Sequence, residues 1–375
     1  MPTYLSNLDL TTEATPALRL QVQASCLYQW LTFINGFSIV EESSVGVWDS
    51  TEYSGSDGSI NGVTPQQFYS VNDAFNAASV GKYIAILDST NPSNSHIGRI
   101  TAYVSATQVT LDSSAVLDIS SPDVEFRVFD ASGSPPLPSD YFVIGNPAPN
   151  VPWQARCTLG SSLSWDLGFI GGWNTATSSW DLPVSAPVLG DDDSSRLFCV
   201  ADPLAGYFFV WTERTGGSAS DRNAYWLGSI SPFHSPEEPG IPSDNSYSAV
   251  LGTQGAAVPT NLSLDTSLFS SLSVGAALGP SLSVVPLYIA QKRFLSTGTA
   301  PMDSVNWATN PFSLEVDDYD AVVFHQGATS SFRGKIPGMR ILNSGVPNRT
   351  SVSGNATYVL GNGIGSVWSG KVPQP

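Results

Sequence analysis

The chain has 375 residues, 41% of them hydrophobic, but only 13% charged, about half the usual share of roughly 25%. Fifteen basic residues against 32 acidic ones give a net charge of −17, which disfavours tight nucleic-acid binding because such binding depends on neutralising phosphates. No apolar run is long enough for a transmembrane helix, and the N-terminus lacks the basic-then-apolar pattern of a secretory signal, so neither a membrane span nor a cleaved leader is expected.

The first predicted element is a long helix. Thr15 is placed as its N-cap and Pro16 at its first position, and apolar residues recur at three- and four-residue steps through Leu20, Ala24, Leu27, Leu31 and Ile34. Asn35-Gly36 ends the pattern. Val22, Cys26, Tyr28, Trp30 and Phe33 make the second face apolar as well, so this helix needs cover on most sides. Burial in its own domain and contact with another subunit both satisfy that need; under the second reading Leu20, Leu27, Trp30, Leu31 and Ile34 form an oligomer contact.

A shorter helix is expected from Thr64-Pro65 through Phe68, Val71 and Phe75 to the Gly81 break. Strands follow at 83–87, 100–104, 109–111 and 124–129, separated by Ser, Asn, Asp and Gly, as in a small antiparallel barrel. In the last of them Val124, Phe126 and Val128 share a face opposite Glu125 and Arg127. Residues 100–111 read as a hairpin turning at Ser105-Ala106-Thr107, with Ile100, Ala102 and Val104 on one face and His96 at a loop edge.

The proline-rich run 132–140 marks a linker, and "HSPEEPGIPSD", 234–244, a second one. Between them lie short strands carrying Trp153, Trp165, Trp173, Trp180, Trp211 and Trp226, in the manner of a β-sandwich. The last segment mixes a short helix around 267–278 with strands at 282–290, 321–325 and 358–360. The expected fold is mainly β, with several small antiparallel barrel or sandwich domains and one long N-terminal helix. Its three units are 1–131 (helix plus barrel), 141–233 (Trp-rich) and 245–375 (mixed, mostly β).

Chemistry-bearing residues do not converge in this sequence. His96, His234 and His325 fall in separate segments, and Cys26, Cys157 and Cys199 lack metal-type spacing, reading as buried thiols or, for Cys157 and Cys199, as a bridge. Phosphate-loop, dinucleotide-loop and zinc-protease patterns are missing, and "GNGIGS", 361–366, reads as a β-turn. Asp191 to Asp193, and Glu315 with Asp317, Asp318 and Asp320, are acid-dense enough for calcium but follow no EF-hand spacing, so hydrated loops are the simpler reading. No catalytic residue, metal ligand or cofactor site is assigned. Trp180, set among polar neighbours in "TSSWDLP", is the aromatic residue expected at the surface, where it could stack on a sugar.

The stretch "FNAASVGKYIAILDSTNPSNSHIGRITAYVSATQVTLD", Phe75 to Asp112, resembles a phrase of structural proteins of tailed-bacteriophage virions. "VPWQARCTL", "FIGGWNTATSSW", "FFVWTERTGG" and "YVLGNGIGSVWSGKVP" are similar to strand-turn pieces of the same proteins. The resemblance implies a non-enzymatic virion protein assembled in the host cytoplasm, whose partners are copies of itself and neighbouring proteins of the tail, neck or baseplate region. A receptor- or glycan-binding module at a tail tip is the alternative expectation, with a polysaccharide hydrolase behind it.

Overall fold

A computed structural model describes residues from Thr3 to Pro232 with short gaps and, beyond them, the strands named below; side chains are described as far as Gly228. Strand β1 (Thr3–Asp9) leads into α1 (Pro16–Gln29). Thr15 caps the helix as expected, its Oγ1 accepting from the Leu18 N–H at 3.1 Å, and Pro16 opens the first turn, where an N–H would have no partner in any case. The chain then widens into a π-turn, Trp30–Ile34. It stops where Asn35 Nδ2 bonds the Trp30 carbonyl at 2.8 Å and Gly36 takes φ +70°, a conformation unfavourable for other residues. Strand β2 (Ser38–Glu42) follows.

A closed six-stranded barrel comes next, with strand order β3-β4-β7-β6-β5-β8. Its members are β3 (Thr51–Asn61), β4 (Gln67–Ser70), β5 (Tyr83–Leu87), β6 (His96–Ser105), β7 (Gln108–Leu111) and β8 (Ile119–Phe129). The inward residues Ile60, Phe68, Ile84, Ile86, Ile100, Val109, Val124, Phe126 and Val128 fill it, with Phe75 added from the connection before β5. Three expectations change here. The helix read from Thr64-Pro65 is instead β4, with a short 3-10 turn at Ala77–Ser79, because Phe68 and Ser70 are buried while Gln67 and Tyr69 are half-buried, a period of two. His96 is buried, 2% exposed, at the start of β6 and not at a loop edge. Ala102 and Val104 do not continue the buried face of Ile100, since a bulge between Ile100 and Ala102 turns the outer half of β6 to solvent.

A five-stranded sheet has the order β14-β11-β10-β9-β2. It is built from β9 (Tyr141–Gly145), β10 (Gln154–Leu159), β11 (Leu163–Gly168), β14 (Ser185–Leu189) and the earlier β2, while β12 (Trp173–Asn174) and β13 (Ser179–Trp180) form a small hairpin of their own. Alternation along β10 sends Ala155, Cys157 and Leu159 to the core and leaves Gln154, Arg156 and Thr158 half-buried on the other face.

The largest sheet runs β1-β15-β16-β17-β19-β20-β21-β22-β23-β26-β25-β24, with β18 beside β23. Its further strands are β15 (Arg196–Asp202), β16 (Tyr207–Glu213), β17 (Arg222–Ser229), β18 (Ser231–Pro232), β19 (Ser248–Thr253), β20 (Ser273–Ala276), β21 (Ser283–Ala290), β22 (Val316–His325), β23 (Ser331–Leu342), β24 (Arg349–Val352), β25 (Asn355–Gly361) and β26 (Ile364–Ser369). Of the helix expected around 267–278, residues Ser273–Ala276 form β20 instead, and the rest lie outside the described residues. His325 ends β22, and in "GNGIGS" Gly361 of β25 pairs with Ile364 of β26, whose strand includes Gly365 and Ser366, while residues 362–363 lie outside the described residues.

The mainly β architecture with one long helix and a barrel is thus present, but the first two units share a core. Leu20, Leu27, Trp30 and Leu31 of the helix region pack in one cluster with Tyr83 and Phe129 of the barrel, Phe142, Cys157 and Trp165 of the five-stranded sheet, and Cys199, Phe208 and Val210 of the largest sheet. Ring contacts run unbroken through it: Trp48 to Phe142 at 4.8 Å, Phe142 to Trp165 at 5.8 Å and Trp165 to Phe208 at 5.0 Å. The pairing of β2 with β9 also crosses the linker at 132–140.

Candidate functional site

On the outer face of the five-stranded sheet, Glu41, Val143 and Arg156 are register partners on β2, β9 and β10, so they form one row across three strands. The β12–β13 hairpin is fastened to this row. Among the described residues its cross-strand pairs are Trp173 with Trp180 and Asn174 with Ser179, too few to hold an isolated hairpin in water. Anchoring from beneath makes up the difference.

Glu41 is the main anchor. Its Oε2 accepts from Trp173 Nε1 at 2.8 Å, and its Oε1 accepts from Ser178 Oγ at 2.6 Å and Tyr141 Oη at 2.5 Å. Burial works to raise the Glu41 pKa, but the hydrogen bonds from Ser178, Tyr141 and Trp173 outweigh it and hold the carboxyl below its usual range. Tyr141 is displaced upward, by burial and then by donating to that carboxylate. The Arg156 guanidinium lies 5.3 Å from the Trp173 ring centre and 5.9 Å from that of Tyr141, a cation over two aromatic faces. Gln154 Oε1 takes the Trp173 backbone N–H at 2.5 Å.

Trp180 stands edge-on to Trp173, with ring centres 5.0 Å apart and planes at 85°. Half-buried, it borders the exposed turn Thr175–Ser178, in which Ser178 adopts φ +47°. The result is a half-buried indole beside a rim of hydroxyl and amide groups. Such a surface suits stacking on a flat apolar face of a sugar, with hydrogen bonding at its edge. The remaining described tryptophans of this region, Trp153 and Trp165, are core residues along with Trp173, and the side chains of Trp211 and Trp226 lie outside the described residues.

The other chemistry-bearing residues meet inside the molecule. Glu13, 6% exposed, accepts from Tyr83 Oη at 2.8 Å and pairs with Arg99 at 3.7 Å. Burial, then the charges of Glu13 and Asp112, push the Cys26 thiol well up, away from the thiolate that nucleophilic chemistry uses. His96 is lowered to about 4 by burial and stays neutral at pH 7. This group ties α1 to the barrel.

The five residues read as an oligomer contact are covered by the chain's own core, with Leu27, Trp30 and Leu31 at 0% exposure, Leu20 at 5% and Ile34 at 6%. That reading is corrected: the second apolar face of the helix is met from within. Cys157 and Cys199 are buried thiols, which removes the proposed bridge. His234, the run Asp191 to Asp193 and Glu315 lie outside the described residues, while Asp317, Asp318 and Asp320 belong to β22. Among the described residues no three His, Cys, Asp or Glu side chains gather as metal ligands would.

Glu41, Tyr141, Arg156 and Ser178 were not singled out from the sequence. One signal did exist in "WNTATSSW", a polar turn flanked by two Trp that could pair across a hairpin. No protein-family model, curated protein or solved structure matches the chain.

Proposed function

We propose that the chain is a non-enzymatic structural protein of a tailed-phage virion, assembling with its own copies and with neighbouring proteins in the tail, neck or baseplate region. The observation that carries this reading is where the resembling phrase falls. Residues 75–112 hold β5, β6 and β7, and β7-β6-β5 are three successive neighbours in the barrel wall. The longest resembling phrase is therefore half of one barrel with its own core residues, while the shorter phrases fall on β10, β12–β13, β16 and β25–β26. Mass spectrometry of particles purified from the producing culture is the test. The chain should be found there in stoichiometric amount; particles lacking it would end this reading.

The Trp180 hairpin favours a second role, receptor or glycan contact. Its anchoring by Glu41, Arg156 and Gln154 holds the hairpin, with the half-buried Trp180 on it, in place before any ligand arrives, which lowers the ordering cost of binding. On a glycan array the chain should retain a sugar, and Trp180→Ala should weaken that binding at least about fivefold, equivalent to about 1 kcal/mol. Equal retention by both proteins would remove Trp180 from any such role.

A further inference from the structure

The Trp180 hairpin and the sheet beneath it carry few charges, and those few lean one way. From Tyr141 to Leu189, a span that holds β9 to β14, the charged residues are Arg156, Asp166 and Asp181; β2 adds Glu41 and Glu42. Residues 173–180 contain none. One cation therefore stands against four carboxylates, in a chain whose net charge is −17.

The charged groups described here are already engaged. Glu42 follows Glu41 on the strand, so it faces the other way, and accepts from Tyr28 Oη of α1. Both Glu41 oxygens are taken, by Trp173 Nε1 on one side and by Ser178 Oγ and Tyr141 Oη on the other. The Arg156 guanidinium lies over the Trp173 and Tyr141 rings, and Asp166 on β11 is its register partner. A sugar carboxylate or sulfate brought to Trp180 would shed water and find that single cation held against two rings and opposite an acid, while Asp181, next in the chain, repels it. What the exposed turn does offer is uncharged: the hydroxyls of Thr175, Thr177, Ser178 and Ser179. The Ser178 hydroxyl has given its proton to Glu41, so toward a ligand it can only accept, and a sugar hydroxyl is the matching donor.

We infer that the ligand of this site is an uncharged sugar, one ring face against the open part of Trp180 and a ring hydroxyl donating to Ser178 Oγ, and that sugars bearing carboxylate or sulfate are excluded. This ligand class rests on the glycan reading of the hairpin. A glycan array probed with the full chain tests it, using neutral sugars beside sialylated, uronate-bearing, sulfated and amine-bearing counterparts. Neutral glycans should be retained and acidic counterparts held at least about tenfold more weakly, since like charges oppose the approach. Retention of the neutral glycans should change less than about twofold between about 50 and 500 mM salt, because screening acts on charges. Thr175→Lys, which puts a cation on the exposed turn, should raise the retention of acidic glycans. Wild-type protein that holds acidic or amine-bearing glycans as tightly as neutral ones overturns the inference; if Trp180→Ala abolishes that binding, the glycan reading of the hairpin stands without it. A Thr175→Lys chain that still refuses acidic glycans overturns it as well, since charge is then not what selects. Retention of no sugar at all ends the glycan reading, and the ligand class falls with it.

Discussion

Glu41 shows how one carboxylate can hold an element that could not hold itself. It accepts hydrogen bonds from Trp173, Ser178 and Tyr141, and hydrogen bonds to a charged acceptor contribute more than neutral ones. Because its folded pKa is depressed, its contribution is fully present above the unfolded value of about 4.3 and is lost as pH falls through the folded value. His96 acts in the same direction by a different route: lowered to about 4, it binds fewer protons folded than unfolded below about pH 6.5, so acid disfavours the folded barrel. Position separates the two effects. Amide protection at residues 173–180, the slowing of exchange relative to an unprotected amide at the same pH, should fall as pH is lowered through the carboxylate range in the wild-type protein. In Glu41→Gln it should be lower already at pH 7 and should lack that carboxylate step. A mutant hairpin that titrates like the wild type would assign the anchoring to another group. From the sequence, the polar neighbours of Trp180 suggested an exposed ring, but it is half-buried against Trp173; the hairpin's anchor was not legible either, since Glu41 lies 132 residues before Trp173 and the β2–β9 pairing brings Glu41 into the sheet beneath it.

Elements with one clear period were readable, and elements with two competing periods were not. β5 and β8 showed their strand character through β-branched and aromatic residues, and Thr15-Pro16 announced the helix start. β4 was hidden because Phe68, Val71 and Phe75 fall at helical spacing around a run of only four paired residues. β3, "TEYSGSDGSIN", was hidden by Gly, Ser and Asp, which ordinarily mark turns. Here the glycine has a packing purpose. A Cβ at Gly58 would lie 2.4 Å from Phe68 Cζ and 3.0 Å from Val124 Cγ2, so β3 passes over the filled barrel only where it has no side chain. Gly58→Ala should therefore cost about 1–3 kcal/mol, read as a lower urea midpoint with an unchanged slope. An unaltered midpoint would mean that Phe68 has another place to go.

At the scale of the molecule, the boundary that composition suggests at 132–140 and the boundary of the core are different things. Proline-rich sequence reports where the chain cannot continue a ladder; it does not report which side chains cover which. Helix α1 precedes the barrel in the chain, yet Leu27, Trp30 and Leu31 share their cluster with Phe142, Trp165 and Phe208, all beyond the linker. A chain ending at residue 131 keeps the barrel's own cluster around Phe68 and Phe126 and loses those covering rings. Each large apolar side chain left exposed forfeits about 1.5–3 kcal/mol of burial, so three of them together rival the whole stability of an ordinary domain at about 5–15 kcal/mol. Residues 1–131 should accordingly fail to form the native helix, with rapid amide exchange across 16–34. In the full chain the same amides should be among the slow ones. If 1–131 protects its helix as the full chain does, the core is divisible at the linker after all, and the burial of α1 by the two sheets is dispensable.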